Sequence, residues 1–139
     1  MTNSSSTVTG GCLCGAVRYE AKWPPLAMGL CYCADCRKAS GSGFIPFAVF
    51  ASETLHITGP LISYASPAAN GREALRNSCA VCASLVFGGP LGKTDSHTLY
   101  VGSADEPAWF KPTMAIFARN VPPWLTIPPE LKRFDTLPG

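Results

Sequence analysis

Short segments with a strand-like pattern, separated by turn residues, run along most of the chain. Residues 16–20 and 54–58 alternate between apolar and polar side chains, as half-buried strands do, and residues 44–51 are apolar enough for a buried strand. One helical turn is predicted over 34–40, and a short apolar run covers 26–30. Further strands are predicted at 61–66, 73–78, 84–87, 98–101 and 113–118. The pattern predicts a mostly β fold of twisted antiparallel sheets of short strands.

Glycine and proline mark the connections between these segments. The chain has 139 residues with 13 Gly and 13 Pro, which favours many turns over long helices. Five prolines fall in 121–139, so an irregular C-terminus is predicted. Residues 1–8 are polar and rich in Ser and Thr, and we expect a flexible tail there. Residues 9–139 are long enough for one domain with a modest core.

The charge and hydropathy of the chain exclude several classes of function. A formal net charge of +2 is too small for a nucleic-acid footprint, so no nucleic-acid partner is expected. No segment has the pattern of a signal peptide or is long enough to cross a bilayer, so no membrane association is expected. We therefore expect a cytoplasmic protein; no pattern indicates an oligomeric state.

Seven cysteines occur in three close-spaced clusters, and none lies outside a cluster. The clusters are Cys12-x-Cys14, Cys31-x-Cys33-x2-Cys36 and Cys79-x2-Cys82. Structural zinc sites take four ligands in tetrahedral geometry, whereas catalytic sites keep one position open. The two short pairs, Cys12/Cys14 and Cys79/Cys82, can close a four-thiolate site. The middle cluster then supplies three thiolates and leaves a fourth position vacant.

The cysteine pattern also admits other interpretations. Disulfides fit poorly with an odd count and a reducing compartment. Ordinary buried cysteines seldom fall entirely in clusters, and a redox Cys79-x2-Cys82 motif lacks a βαβ context. A single four-thiolate site with three spare thiols at Cys31, Cys33 and Cys36 stays open as an alternative.

The cysteine motifs and their flanking residues resemble the glutathione-dependent formaldehyde-activating enzyme family, which includes centromere protein V. The resemblance lies in 11–19, 31–44, 79–82 and 119–128. It implies a β-tent fold with a structural zinc on Cys12, Cys14, Cys79 and Cys82 and a catalytic zinc on Cys31, Cys33 and Cys36. Tyr32 stands where the family often has His, and Ala83 stands where it has Gly.

The open site suggests a thiol chemistry. Three thiolates make a bound Zn²⁺ a weak Lewis acid that suits a soft sulfur as its fourth ligand. The resemblance implies glutathione as co-substrate and a carbon–sulfur lyase reaction that makes or breaks S-hydroxymethylglutathione. Glutathione carries two carboxylates, which need cations or N–H donors. The sequence neighbours of the open site that could supply them are Arg37, Lys38, Ser40 and Ser42.

Two rival functions follow from the same residues. In the first, both metals are structural and the chain is a non-catalytic interaction module. In the second, a related zinc-thiolate enzyme acts on a different thiol or aldehyde adduct. Both rival functions keep the two cysteine sites and differ from the first only in the role of those sites.

Overall fold

The computed structural model describes residues 6–68 and 71–138. One helix, α1, spans Ala34–Ser40, and four single 3₁₀ turns occur at Ser52–Thr54, Val101–Ser103, Pro107–Trp109 and Ala118–Asn120. The strands, in chain order, are β1 Thr7–Gly11, β2 Arg18–Lys22, β3 Ala27–Cys31, β4 Ile45–Ala51, β5 Leu55–Thr58, β6 Leu61–Pro67, β7 Glu73–Cys79, β8 Leu85–Gly88, β9 Ser96–Tyr100, β10 Met114–Ile116 and β11 Lys132–Arg133.

The strands form two sheets of unequal size. The small sheet has the order β1-β2-β5 and is antiparallel throughout. The large sheet has the order β11-β10-β3-β4-β9-β8-β7-β6. Its pairs from β3 to β6 are antiparallel, while β10 runs parallel to both β3 and β11. The predicted mostly β fold is confirmed, with a mixed arrangement at one edge of the large sheet.

The main hydrophobic core lies between the two sheets. Phe50, Phe87 and Leu99 are fully buried in it, because alternate residues of a strand face the same side, and Val17, just before β2, is fully buried with them. Trp23 and Trp109 close this core edge to face, with ring centroids 5.8 Å apart. Two smaller clusters flank it: one around Tyr32 lies on the same face of the large sheet, and one around Cys31 and Cys36 lies on the opposite face. The cysteines thus sit at the margins of packed apolar groups.

The described elements start and end close to the predicted ones, with two exceptions. Helix α1 spans the predicted 34–40. The first exception is β1: a tail was expected through residue 8, but residues 7–11 pair with β2 and Val8 is buried. Residues 1–5 of the expected tail lie outside the described residues. The second exception is β11, in the tail predicted as irregular, which pairs with β10. In residues 6–68 and 71–138, no helix has the length and apolar character needed to span a bilayer.

Candidate metal centres

The four-cysteine cluster (Cys12, Cys14, Cys79, Cys82) forms where two hairpin turns meet. Cys12 and Cys14 lie in the connection between β1 and β2, while Cys79 ends β7 and Cys82 lies in the turn before β8. The first pair therefore comes from the small sheet and the second from the large sheet. A metal held by all four sulfurs would link the two sheets across the main core.

The sulfur positions of this cluster suit a tetrahedral metal site. The Sγ atoms of Cys12 and Cys14 are 3.6 Å apart, and those of Cys14 and Cys79 are 3.8 Å apart. Zinc–sulfur bonds of about 2.3 Å in a tetrahedron put neighbouring sulfurs about 3.8 Å apart. A disulfide needs about 2.05 Å. All seven cysteines of the chain are free thiols, so the four sulfurs are available as ligands.

Backbone and side-chain donors lie close to the sulfurs of this cluster. Val17 N–H donates to Cys12 Sγ at 3.1 Å, and Val81 N–H donates to Cys79 Sγ at 3.3 Å. Hydrogen bonding by the Ser84 side chain lowers the pKa of Cys82 to about 5. The same Ser84 hydroxyl accepts a hydrogen bond from the Leu13 N–H, so it joins the two turns directly.

The three-cysteine cluster (Cys31, Cys33, Cys36) comes from one short segment. Cys31 ends β3, Cys33 is the N-cap of α1, and Cys36 lies one turn into that helix. The Cys36 N–H donates to Cys33 Sγ at 3.1 Å, so a ligand sulfur also caps the helix. Tyr32 points the other way: it is 1% exposed and packs against Phe44 in a separate apolar cluster. A buried tyrosine thus anchors the loop that presents the sulfurs.

Electrostatics within this cluster also point to a bound cation. The Sγ atoms of Cys36 and Cys31 are 3.2 Å apart, which is again too far for a disulfide. Hydrogen bonds from the neighbouring sulfurs lower the pKa of Cys33 and raise that of Cys31, so one thiolate forms at the expense of another. Three crowded thiolates can exist together only if a positive charge offsets their repulsion. A divalent ion of a thiolate-preferring metal such as zinc would supply that charge.

The three-cysteine cluster opens into a pocket of about 410 Å³. Among residues 6–68 and 71–138, no further His, Cys, Asp or Glu has a ligand atom close enough to complete the cluster. Phe117 lines one side and adopts a left-handed backbone at φ 53°, where its N–H donates to Thr136 O at 3.0 Å. Leu137 adds part of the C-terminal segment to the lining. The vacant side of the cluster therefore faces a cavity large enough for a small-molecule ligand.

The residues predicted from sequence proximity as glutathione contacts do not line this pocket. Helix geometry explains it, since each helical residue is rotated by about 100° from the one before. Cys36 faces the sheet and is buried, so Arg37 and Lys38 turn away from it, and Lys38 is exposed. Ser40 donates to Cys36 O at 2.8 Å and accepts from Ser42 N–H at 3.1 Å, which closes the end of the helix. Ser40 and Ser42 line a separate pocket of about 430 Å³.

Two arginines that sequence reasoning did not assign to this site line the sulfur pocket instead. Arg76 projects from β7 and places a guanidinium nitrogen 4.0 Å from Cys36 Sγ. Arg119 lies in the 3₁₀ turn after β10. No local signal marks Arg76, because only the pairing of β7, β8, β9, β4 and β3 brings it near a cysteine 40 positions away.

Comparisons with known proteins agree with this arrangement of cysteines. A solved structure of a Rhodobacter sphaeroides protein, determined by structural genomics, matches with a TM-score of 0.52 at 19% identity, over 70% of this chain and 87% of that one, and it supports the fold alone. No curated protein matches the sequence. The family model for the glutathione-dependent formaldehyde-activating enzyme matches residues 7–120, which include all seven cysteines. The chain belongs to the glutathione-dependent formaldehyde-activating enzyme family.

Proposed function

We propose that the protein is a zinc-dependent carbon–sulfur lyase or synthase. Its substrate would be the adduct of glutathione, or of another small thiol, with formaldehyde or a related aldehyde. The observation that carries the proposal is the three-cysteine cluster: three sulfurs converge, no fourth protein ligand joins them in residues 6–68 and 71–138, and a pocket lies in front of them. Membership of the family supports the same chemistry.

The proposal assigns Zn²⁺ to both cysteine clusters, two ions per chain. The four-cysteine cluster would hold the structural ion with a full set of protein ligands. Cys31, Cys33 and Cys36 would hold the catalytic ion, which favours the thiolate form of a bound thiol and polarises a carbonyl group. Metal analysis of the purified chain should return about two zincs per protein, and one or none would contradict this assignment.

The residues around the open cluster would bring the reactants together. The apolar side chains of Ile116 and Phe117 shield one wall of the pocket from water, while Arg76 offers N–H donors next to Cys36. In the synthetic direction the thiol sulfur bonds to the aldehyde carbon, the carbonyl π pair moves to oxygen, and the proton lost by the thiol ends on that oxygen. Holding the thiol and the aldehyde in one cavity turns a bimolecular reaction into an effectively unimolecular one. This gain in rate is the main advantage that the pocket can provide.

A formaldehyde assay with one substitution tests the proposal. The zinc-loaded chain should accelerate formation of S-hydroxymethylglutathione from formaldehyde and glutathione above the uncatalysed rate. Cys33→Ser should abolish this acceleration and leave the fold intact, because serine is itself a favourable N-cap for α1. Lys38→Gln is the matched control on the same helix, and its activity should be unchanged. Wild-type-like turnover in Cys33→Ser would contradict the assignment of the open cluster.

The assay also separates the proposal from its rivals. A non-catalytic interaction module, with both metals structural, predicts no acceleration with any aldehyde. A zinc-thiolate enzyme with another substrate predicts acceleration in a screen of aldehydes and thiols, without a preference for formaldehyde and glutathione. We expect a small-molecule partner and neither nucleic acid nor membrane, and we place the protein in the cytoplasm, where seven free thiols stay reduced.

A further inference from the structure

Two arginines line the pocket of the three-cysteine cluster, and they differ in exposure. Arg76 is half-buried on β7 beside Cys36, whereas Arg119 is exposed. Asp35 is the acidic side chain among the described lining residues, and it is exposed too. Apart from the cysteines, the described lining of the pocket therefore has two positive side chains and one negative one.

The guanidinium of Arg76 has more donors than the protein uses. It offers five N–H groups. One nitrogen donates to Ser66 Oγ at 3.2 Å, and a second lies 4.0 Å from Cys36 Sγ, at the outer limit of a hydrogen bond to sulfur. Its Nε is buried and has no partner in the described part of the chain. An incompletely bonded, partly desolvated guanidinium is costly unless an anion completes its contacts.

We propose that Arg76 and Arg119 form a carboxylate-binding subsite of this pocket, and that it selects thiol ligands that carry a carboxylate. The inference rests on the proposed function, since it presupposes a thiol at the open cluster. Arginine suits this role because its planar fork matches the two oxygens of a carboxylate. Arg76 would be the stronger contact, because its partial burial reduces the screening that weakens exposed Arg119.

The subsite would let the pocket recognise the carboxylates of a thiol ligand, which Arg37 and Lys38 on the helix do not reach. Glutathione carries two carboxylates, and the structure offers two arginines on the pocket wall. A hydrogen bond to a charged group typically changes affinity by about tenfold or more. Loss of the carboxylates from the ligand should therefore weaken binding at least about tenfold.

A pair of matched ligands tests the subsite by binding rather than by turnover. Glutathione and its diethyl ester share the thiol and the peptide backbone, but the ester lacks both carboxylates. Each is titrated calorimetrically into the full-length zinc-loaded protein. We expect glutathione to bind at least about tenfold more tightly than the ester. The same preference should fall to about twofold or less in Arg76→Gln, persist in part in Arg76→Lys, and stay unchanged in the control Lys38→Gln.

Each outcome bears on one claim only. If neither ligand binds the zinc-loaded wild type, the open cluster does not take thiols and the proposed function fails. If both bind with equal affinity, the subsite inference is overturned and the proposed function stands. A preference that persists in full in both Arg76→Gln and Arg119→Gln also overturns the subsite. Zinc content equal to wild type in each variant excludes loss of the metal as the cause, and the wild-type comparison remains decisive if a variant does not fold.

Discussion

Substitution of Cys79 by serine should unfold the whole domain. Cys79 ends β7, is 0% exposed, and belongs to the main core together with Cys12. It contributes one of four sulfurs from turns that lie in different sheets, so losing it removes the metal link between β1–β2 and β7–β8. Serine keeps nearly the shape of the side chain but binds zinc poorly, since soft thiolates are the ligands that retain it.

The expected size of this effect exceeds what the fold can tolerate. Structural zinc sites contribute about 10–16 kcal/mol in small zinc domains near neutral pH. A domain of this size has a free energy of unfolding of about 5–15 kcal/mol in total. Even partial loss of the zinc contribution therefore brings stability close to zero, whereas a buried hydroxyl without a partner would alone cost about 1–3 kcal/mol.

Thermal unfolding followed by circular dichroism, together with zinc analysis, measures the outcome. We expect no cooperative transition for Cys79→Ser. Cys14→Ser is the informative companion, because Cys14 supplies the same kind of ligand from an exposed position. The metal account predicts that both variants unfold, while an effect of core packing alone predicts that only Cys79→Ser does. A Cys14→Ser protein that melts within a few degrees of wild type and retains two zincs would show that no structural metal is held by these four sulfurs.

Three further predictions follow from particular backbone and side-chain positions. Ala83 has φ 67°, so Ala83→Gly should relieve about 1–2 kcal/mol of strain against about 0.4–1 kcal/mol of added chain entropy, and should raise Tm by a few degrees, or at least not lower it. A methyl group on Gly88 would lie 2.8 Å from the Tyr100 hydroxyl, so Gly88→Ala should lower the free energy of unfolding by about 1–3 kcal/mol in urea titration. The hydrogen bond from Arg18 lowers the pKa of Asp105 below its ordinary value. The stabilisation is present above the ordinary carboxyl pKa and is lost as the pH falls through the lowered pKa of the folded state. Asp105→Asn should therefore destabilise the fold slightly at pH 7 and progressively less on acidification, and an effect that does not shrink would contradict the pairing.

Local patterns in the sequence were sufficient to predict most of the individual elements. Strand alternation predicted β2 and β5 within a few positions, because alternate residues of each strand face the core and the others face outward. Turn residues marked the limits of β6 and β7. β1 escaped prediction because its Ser- and Thr-rich start resembles a tail, and only pairing with β2 orders it. β11 is two residues long and owes its existence to β10 alongside it.

The candidate site divides in the same way into local and non-local parts. The two cysteine clusters could be predicted because metal ligands come in short spaced motifs, and the structure brings the sulfurs of each together. The charged residues of the pocket could not be predicted from the sequence. Arg37 and Lys38 were expected there because they follow Cys36 directly, but the rotation of the helix turns them away from the pocket. Arg76 reaches Cys36 through a sheet whose strand order no local pattern specifies.

We propose that one thiolate cluster has all four of its sulfur ligands from the protein, and that the other takes its fourth sulfur from a bound thiol. X-ray absorption at the zinc edge counts sulfur ligands per metal. Seven cysteines over two ions give about 3.5 sulfurs per zinc in the purified protein, and saturation with glutathione should raise the average to about 4. An average that stays the same when glutathione is added, or that is already about 4 with one zinc per chain, would contradict the claim.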